Sequence, residues 1–231
     1  MMNQYSCCRV CHEAEPVPDR PTARPPDPGF PRRGSPISRA LAHRLLGLFG
    51  WRVQGSLPDR SRFVLIVAPH TSNWDFLVAV LAMFATGLRA SWLGKHTIFR
   101  FPLGPVLRWL GGEPIDRSAP QGTVGSAIAH FRTRPQWVLA LSPEGTRRPV
   151  GQWKTGFHRI AAGAGVPIVP VSLDYRARVV GIGAPVSPGR DEAESVTLLR
   201  ALYHKEMARH PQRYVEAEVM TTLPSQKRSS S

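Results

Sequence analysis

Residues 63–76 of the chain read FVLIVAPHTSNWDF. The first six, Phe63 to Ala68, form a continuous apolar run of strand length, which is typical of a strand that is buried on both faces. The residues from Trp74 to Gly87 are predicted to form a helix. A buried strand followed closely by a helix is typical of an α/β fold.

The alternation of strands and helices continues along the rest of the chain. The predicted elements are a short strand near Ala90 to Leu93, a helix from Pro102 to Leu110, a strand through Ile115, a helix from Thr123 to Phe131, a strand from Trp137 to Leu141, a helix from Gly156 to Ala162, a strand from Ile168 to Leu173 and a helix from about Asp191 to Ala208. Units of this length predict a single α/β domain over residues 35–215, with helices on the faces of a sheet.

The predicted domain begins at Ser35-Pro36, a hydroxyl N-cap followed by proline at the first helical position. The helix predicted over residues 36–50 is amphipathic, with Arg39, His43 and Arg44 on its polar side. Two interpretations of this helix stay open, because it can pack on the core or lie at a membrane interface. Residues 1–34 are expected to be a disordered leader rich in proline and arginine, and residues 216–231 a loose tail.

The charge of the chain restricts its partners to a few classes. A formal net charge of +14 favours polyanions, which include nucleic acid, anionic lipid headgroups and phosphorylated substrates. The excess of arginine over lysine is equally consistent with the codon bias of a GC-rich genome. The longest apolar run, Phe76 to Ala85, is about half the length that a membrane-spanning helix needs, so membrane contact is expected to be peripheral.

The three cysteines, Cys7, Cys8 and Cys11, lie within the first eleven residues and cannot cross-link the domain. The segment from Cys8 to His12 matches the C-x-x-C-H pattern of haem attachment. A match this short arises easily by chance, and its role stays open.

His70 and Asp75 are the candidate catalytic residues. His70 follows the end of the buried strand, where ligands bind in open α/β sheets, and Asp75 falls in the first turn of the next helix. A carboxylate beside an imidazole holds one tautomer and stabilises the imidazolium, which makes the histidine a general base. Such a spacing is expected by chance in about one chain in four of this composition, and Asp75 alone could simply favour the helix N-terminus.

Three further segments strengthen this assignment. They are Gly111-Gly112-Glu113-Pro114-Ile115-Asp116-Arg117, Pro143-Glu144-Gly145-Thr146-Arg147 and Val166-Pro167-Ile168-Val169-Pro170. Together with His70 to Asp75, an H-x₄-D motif, they match four ordered sequence blocks of the glycerolipid acyltransferases, and the chain resembles that family over roughly residues 37 to 210. Four blocks in order are far more specific than one.

The resemblance implies a fold like that of glycerol-3-phosphate acyltransferase, a mixed, mostly parallel sheet flanked by helices with an apolar tunnel for the acyl chain. It implies transfer of a fatty acyl group from acyl-CoA or acyl carrier protein to a hydroxyl of a lysophospholipid, lysophosphatidic acid among them. In this interpretation His70 is the base and Asp75 orients it. The residues expected to bind the acceptor are Arg117, Glu144, Gly145, Thr146, Arg147 and Lys154. No metal, cofactor or nucleic acid is expected, and the enzyme is placed in the cytoplasm, peripherally on the inner, anionic face of the membrane.

Two departures from the family pattern and three rival functions remain. Pro114 interrupts a strand and therefore predicts an edge or bulged strand, and Arg148 replaces a frequent serine. The rivals are an esterase or thioesterase that uses His70, a basic nucleic-acid-binding protein, and a lipid-binding protein without catalysis. For the acyltransferase, backbone N–H groups at the helix start after Ser72 are the predicted oxyanion donors.

Overall fold

A seven-stranded mixed sheet forms the centre of the protein, as described by a computed structural model that covers residues 29–115 and 122–216. The strands are β1 (Arg52–Gln54), β2 (Arg62–Ala68), β3 (Ser91–Lys95), β4 (Gly112–Ile115), β5 (Trp137–Leu141), β6 (Ile168–Asp174) and β7 (Val179–Ile182), in the spatial order β1-β7-β6-β2-β5-β3-β4. All neighbours pair in parallel except β6 and β7, which are antiparallel. The predicted mixed, mostly parallel sheet is confirmed.

Helices cover both faces of this sheet. They are α1 (Pro36–Leu48), α2 (Trp74–Thr86), α3 (Leu103–Trp109), α4 (Gly122–Thr133), α5 (Gly156–Ala164) and α6 (Glu192–Arg200). Alternate side chains of β2 enter two separate cores: Val64 and Ile66 pack with α4 and α5, while Phe63 and Leu65 pack with α1 and α2. β2 is therefore buried on both faces, as its apolar run predicted, and its carboxyl end lies at the middle of the sheet.

Residues 29–34, which the sequence analysis assigned to the leader, lie against the domain. Phe30 is 7% exposed within the core beside α1 and α2. The Nη2 atom of Arg33 donates to the carbonyl oxygen of Trp109 at 2.6 Å, and its guanidinium lies over the rings of Phe84 and Trp109. An aromatic anchor and a cation with three partners hold residues 29–34 against the domain. Residues 1–28, with their cysteines, lie outside the described residues.

Helix α1 begins as predicted and leaves much of its apolar face uncovered. The hydroxyl of Ser35 accepts from the Ser38 N–H at 3.2 Å, and the Ser38 hydroxyl accepts from the Ser35 N–H at 2.9 Å. Only Ala42 and Leu46 are buried, against α2, whereas Ile37 and Leu48 are about four-fifths exposed. Packing on the core is therefore confirmed for Ala42 and Leu46, and the membrane interface stays a prediction for the exposed residues of the same helix. Within the described residues, no helix has the length and hydropathy of a membrane span.

Pro114 lies in β4, which is at an edge of the sheet and pairs with β3 alone. An edge strand has one side without a partner, so it tolerates a residue that lacks an N–H group. The edge position that Pro114 predicted is confirmed.

The C-terminal part of the domain departs from the predicted long helix. α6 ends at Arg200, and the chain then turns back over the sheet with Tyr203, Ala208 and Tyr214 buried in the core. The short strands β1 and β7 were not predicted either. β1 has only three residues, and β7 runs against the direction that strand and helix alternation implies.

Candidate active site

The loops that follow β2, β5 and β6 meet at one edge of the sheet. These three strands are adjacent and parallel, so their carboxyl ends place His70, Glu144 and Tyr175 close together. The side chain of His70 is 21% exposed and that of Asp75 only 1%. The Nδ1 atom of His70 lies 3.4 Å from Oδ2 of Asp75, which leaves Nε2 as the ring nitrogen available to a substrate.

Asp75 is a buried carboxylate with a donor at each oxygen. Its Oδ2 accepts from the N–H groups of Thr71 and Ser72, each at 2.7 Å. Its Oδ1 accepts from the hydroxyl of Tyr175, also at 2.7 Å. Burial would raise the pKa of Asp75, but the contacts with His70, Ser72 and Tyr175 outweigh burial and lower it below its usual value. Asp75 is therefore ionised at neutral pH and can stabilise an imidazolium at His70.

The N–H groups at the start of α2 are partly occupied. Asn73 is the N-cap by position but makes no side-chain cap, and the hydroxyl of Ser72 accepts from the Trp74 N–H at 3.2 Å. The hydroxyl of Ser72 therefore satisfies one N–H group in the first turn of α2. The oxyanion role of these N–H groups stays a prediction.

Glu144, a predicted acceptor residue, is buried and contacts the backbone of His70 instead of lining the groove. Its carboxylate is 3% exposed, and its two oxygens lie 3.0 and 3.1 Å from the backbone N of His70, which donates to them. The N–H of His70 lies beyond the end of β2, so it needs an acceptor outside the sheet. The carboxylate of Glu144, which follows the neighbouring strand β5, is that acceptor. Burial raises the pKa of Glu144 to about 7. Glu144 therefore supports the loop that carries His70.

The raised pKa of Glu144 predicts a pH-dependent stability. A carboxyl group whose pKa is higher in the folded protein contributes stability that is complete below its unfolded pKa and is lost as the pH rises through about 7. The free energy of unfolding should fall by about 2 to 3 kcal/mol from about pH 5 to about pH 8 through this group. Chemical denaturation should show a flatter curve for Glu144→Gln, which keeps an acceptor but does not titrate. An equally steep curve in the variant would assign the dependence to other groups.

The other predicted acceptor residues lie at the mouth of a groove. Gly145, Thr146, Arg147 and Lys154 line it together with His70, and Lys95 of β3, which the sequence analysis missed, lines it too. The turn depends on Gly145, whose φ is +65° and whose Cβ position would lie 2.9 Å from the Lys154 side chain. Arg117 lies outside the described residues.

The groove has a volume of about 750 Å³ and continues from His70 between α2 and the sheet. One face of α2 forms its wall through residues spaced three or four apart, namely Phe76, Ala79, Val80, Met83 and Thr86. Leu65 and Val67 of β2 form part of the opposite wall. From Phe76 to Thr86 this wall extends for about 15 Å, a length suited to an alkyl chain.

Comparison with known proteins agrees with this geometry. A model of the acyltransferase family matches residues 51–174, more than half of the chain. The chain belongs to the acyltransferase family. This acyltransferase is 29% identical over 149 residues to the 1-acyl-sn-glycerol-3-phosphate acyltransferase of Escherichia coli (strain K12), and the match covers 60% of the chain and 59% of that relative. It is 28% identical over 138 residues to the enzyme of the same name from Haemophilus influenzae, covering 55% and 56% of the two chains.

A solved structure shares the fold of this acyltransferase. The crystal structure of the 1-acyl-sn-glycerophosphate (LPA) acyltransferase, PlsC, from Thermotoga maritima aligns with a TM-score of 0.53 and 23% identity, covering 72% of the chain and 75% of that structure. The resemblance found in the sequence is confirmed at the level of family and fold. The chain matches about three-fifths of the length of its E. coli relative.

One residue of the site, Tyr175, was missed by the sequence analysis. It lies immediately after β6 and one position beyond the residues that the family model matches. Its only signal in the sequence is its place at the carboxyl end of a predicted strand, which is too general to single it out.

Proposed function

We propose that this acyltransferase moves a fatty acyl group from an acyl thioester to the free hydroxyl of lysophosphatidic acid. The observation that carries the proposal is the His70 and Asp75 pair at the junction of an apolar groove and a basic mouth. The apolar part suits the acyl chain, and the cations suit a phosphate. The relatives that carry this activity in their names support the same assignment.

The reaction proceeds by direct attack in this proposal. Nε2 of His70 takes the proton of the acceptor hydroxyl as its oxygen bonds to the thioester carbonyl carbon. The tetrahedral intermediate then collapses, the carbon–sulfur bond breaks, and the thiol leaves with the proton held by His70. Asp75 stabilises the imidazolium between these two proton transfers. The scheme uses neither a metal nor a cofactor, and it accepts acyl-CoA or acyl carrier protein as donor.

An assay with labelled acyl thioester tests this function. Labelled phosphatidic acid should form with lysophosphatidic acid as acceptor, whereas lysophosphatidylcholine and glycerol 3-phosphate should give much less of their own acylated products. Release of free fatty acid at the same rate with and without acceptor would favour a thioesterase instead. Salt-sensitive DNA binding without consumption of thioester would favour the nucleic-acid-binding alternative.

Arg147 is proposed to bind the acceptor phosphate. It is exposed and lines the groove mouth, whereas its neighbour Arg148 does not line the groove. Arg147→Ala should raise the KM for lysophosphatidic acid about tenfold, because a charge-assisted contact to phosphate is lost. The KM for monoacylglycerol, which has no phosphate, should stay the same. Arg148→Ala is the matched control, and equal effects of the two variants on KM would remove Arg147 from this role.

Peripheral binding to the membrane, at its cytoplasmic face, is proposed through the exposed apolar face of α1. Ile37, Leu41 and Leu48 are exposed there, and Trp74 and Leu77 of the adjacent α2 are exposed too. Replacing Ile37 and Leu48 together by glutamate should reduce co-sedimentation with anionic liposomes several-fold. Leu198→Glu on α6, at the opposite face of the sheet, is the control. Unchanged co-sedimentation of the double variant would place the membrane contact elsewhere.

A further inference from the structure

We propose that Tyr175 is a positioning residue of the active site, which holds Asp75 in the orientation that His70 requires. The proposal rests on the function proposed above. Tyr175 belongs to none of the four sequence blocks and lies outside the family match. It therefore extends the pair of His70 and Asp75 to a third group that no motif identifies.

The hydrogen bonds of Asp75 assign separate tasks to its two oxygens. Oδ2 faces His70 and accepts from the N–H groups of Thr71 and Ser72. Both of these donors belong to the same loop as His70, so they cannot by themselves fix the loop against the sheet. Oδ1 has a donor from a different strand end, the hydroxyl of Tyr175 at 2.7 Å. That bond ties the carboxylate to β6 and resists rotation of its plane away from His70.

The ring of Tyr175 is itself held from several sides. Its backbone N–H donates to the carbonyl of Met207 at 2.8 Å. The ring of Trp51 meets it edge-on, with centroids 4.8 Å apart. The guanidinium of Arg209 lies 5.8 Å from its ring centroid and 5.1 Å from that of Trp74, the first residue of α2. Tyr175 is therefore a fixed donor.

The segment that carries Met207 and Arg209 also contacts the catalytic loop directly. Nη1 of Arg213 donates to the carbonyl oxygen of Thr71 at 3.2 Å, and the His210 N–H donates to the Thr71 hydroxyl at 3.2 Å. The same short stretch thus supports both Tyr175 and the loop between His70 and Asp75. The segment from Met207 to Arg213 therefore helps to set the position of the Tyr175 hydroxyl relative to the Asp75 carboxylate.

The chemistry of the phenol suits a donor that does not change with pH. Burial and the hydrogen bond to Asp75 raise the pKa of Tyr175 above its ordinary value, and the opposing effect of Arg209 is smaller. The hydroxyl consequently keeps its proton and can only donate to Asp75 in the physiological range. The titratable or charged groups around this pair are His70 on the same loop, Glu144 after β5, and Arg209 and Arg213 of the C-terminal segment.

The test is a double-mutant cycle between Tyr175→Phe and Asp75→Asn in the full chain. Phenylalanine keeps the ring and its packing, so far-UV CD and the thermal midpoint should stay close to wild type. Tyr175→Phe should lower kcat about tenfold, with both KM values within about twofold, because a hydrogen bond to a charged group is lost without loss of substrate contact. In the Asp75→Asn background the same change should lower kcat less than about twofold, since the charged acceptor is already gone.

A second readout needs no activity. The carboxyl carbon of Asp75, followed by ¹³C NMR, should titrate about one pH unit higher in Tyr175→Phe, because a donor to its charged form is removed. An unchanged Asp75 titration, or an equal loss of kcat in both backgrounds, would overturn the positioning role. If the wild-type protein transfers no acyl group, only the proposed function is overturned. The titration of Asp75 needs no activity and still tests the role of Tyr175.

Discussion

Replacing His70 by alanine is expected to lower the rate of acyl transfer by about 10³-fold or more, within the range that general bases contribute. The variant keeps the backbone N–H of residue 70, which donates to Glu144, so this hydrogen bond should still support the loop. It loses the imidazole of His70, which is the only histidine ring beside Asp75 among the residues that the structure describes and lies at the mouth of the apolar groove. The acceptor hydroxyl then has no partner for its proton when it attacks the thioester.

Acceptor-dependent thiol release measures this effect, with far-UV CD as the check on folding. His43→Ala is a suitable control, because His43 is exposed on α1 and far along the chain from the loop. Thiol release within about fivefold of wild type in His70→Ala would contradict general-base catalysis by His70. If His70→Ala loses the CD signal as well as acyl transfer, it does not fold. His70→Gln, whose side chain occupies the space of the imidazole, is then the variant to measure.

Asp75→Asn is expected to lower kcat by about 10²- to 10⁴-fold, as the loss of an orienting carboxylate does in hydrolase triads. The amide fills the same volume but carries no charge to stabilise the imidazolium. Its NH₂ group can donate to the Tyr175 hydroxyl, which also accepts, while its oxygen accepts from the Thr71 and Ser72 N–H groups. The variant can thus keep the alignment but loses the charge.

The pH profile of kcat separates this effect from a simple titration. The pKa of Asp75 is lowered by its contacts, despite its burial, so the wild-type carboxylate is charged throughout the neutral range. The loss in Asp75→Asn should therefore be of similar size from about pH 6 to about pH 9. A kcat that recovers at the alkaline end would show that the charge of Asp75 is dispensable there.

The sequence predicts those parts of the site that depend on neighbours along the chain. His70 and Asp75 lie within one loop and helix turn, so their spacing alone places them together. Pro114 indicates an edge strand because proline has no N–H to donate to a neighbouring strand, and an edge strand tolerates this loss. The apolar run of β2 likewise indicates burial on both faces, which its position in the sheet order confirms.

The parts that depend on distant segments are not visible in the sequence. Glu144 was assigned to the acceptor from its block, yet its orientation depends on where the N–H of His70 lies in the folded sheet. Tyr175 becomes a donor to Asp75 only because β6 is adjacent to β2. The contacts of residues 29–34 with the domain are not visible for a related reason, since the buried residue of that segment is a single phenylalanine within a polar stretch.

The contact between Arg213 and Thr71 joins residues that are 142 positions apart in the chain. Ribosomes deliver a protein from its N-terminus, so His70 and Asp75 emerge long before the segment that supports them. A nascent chain therefore carries His70 and Asp75 in a loop that still lacks its contacts with Tyr175 and Arg213. The complete set of hydrogen bonds around Asp75 and Thr71 can form only after the segment that contains Arg213 has been synthesised.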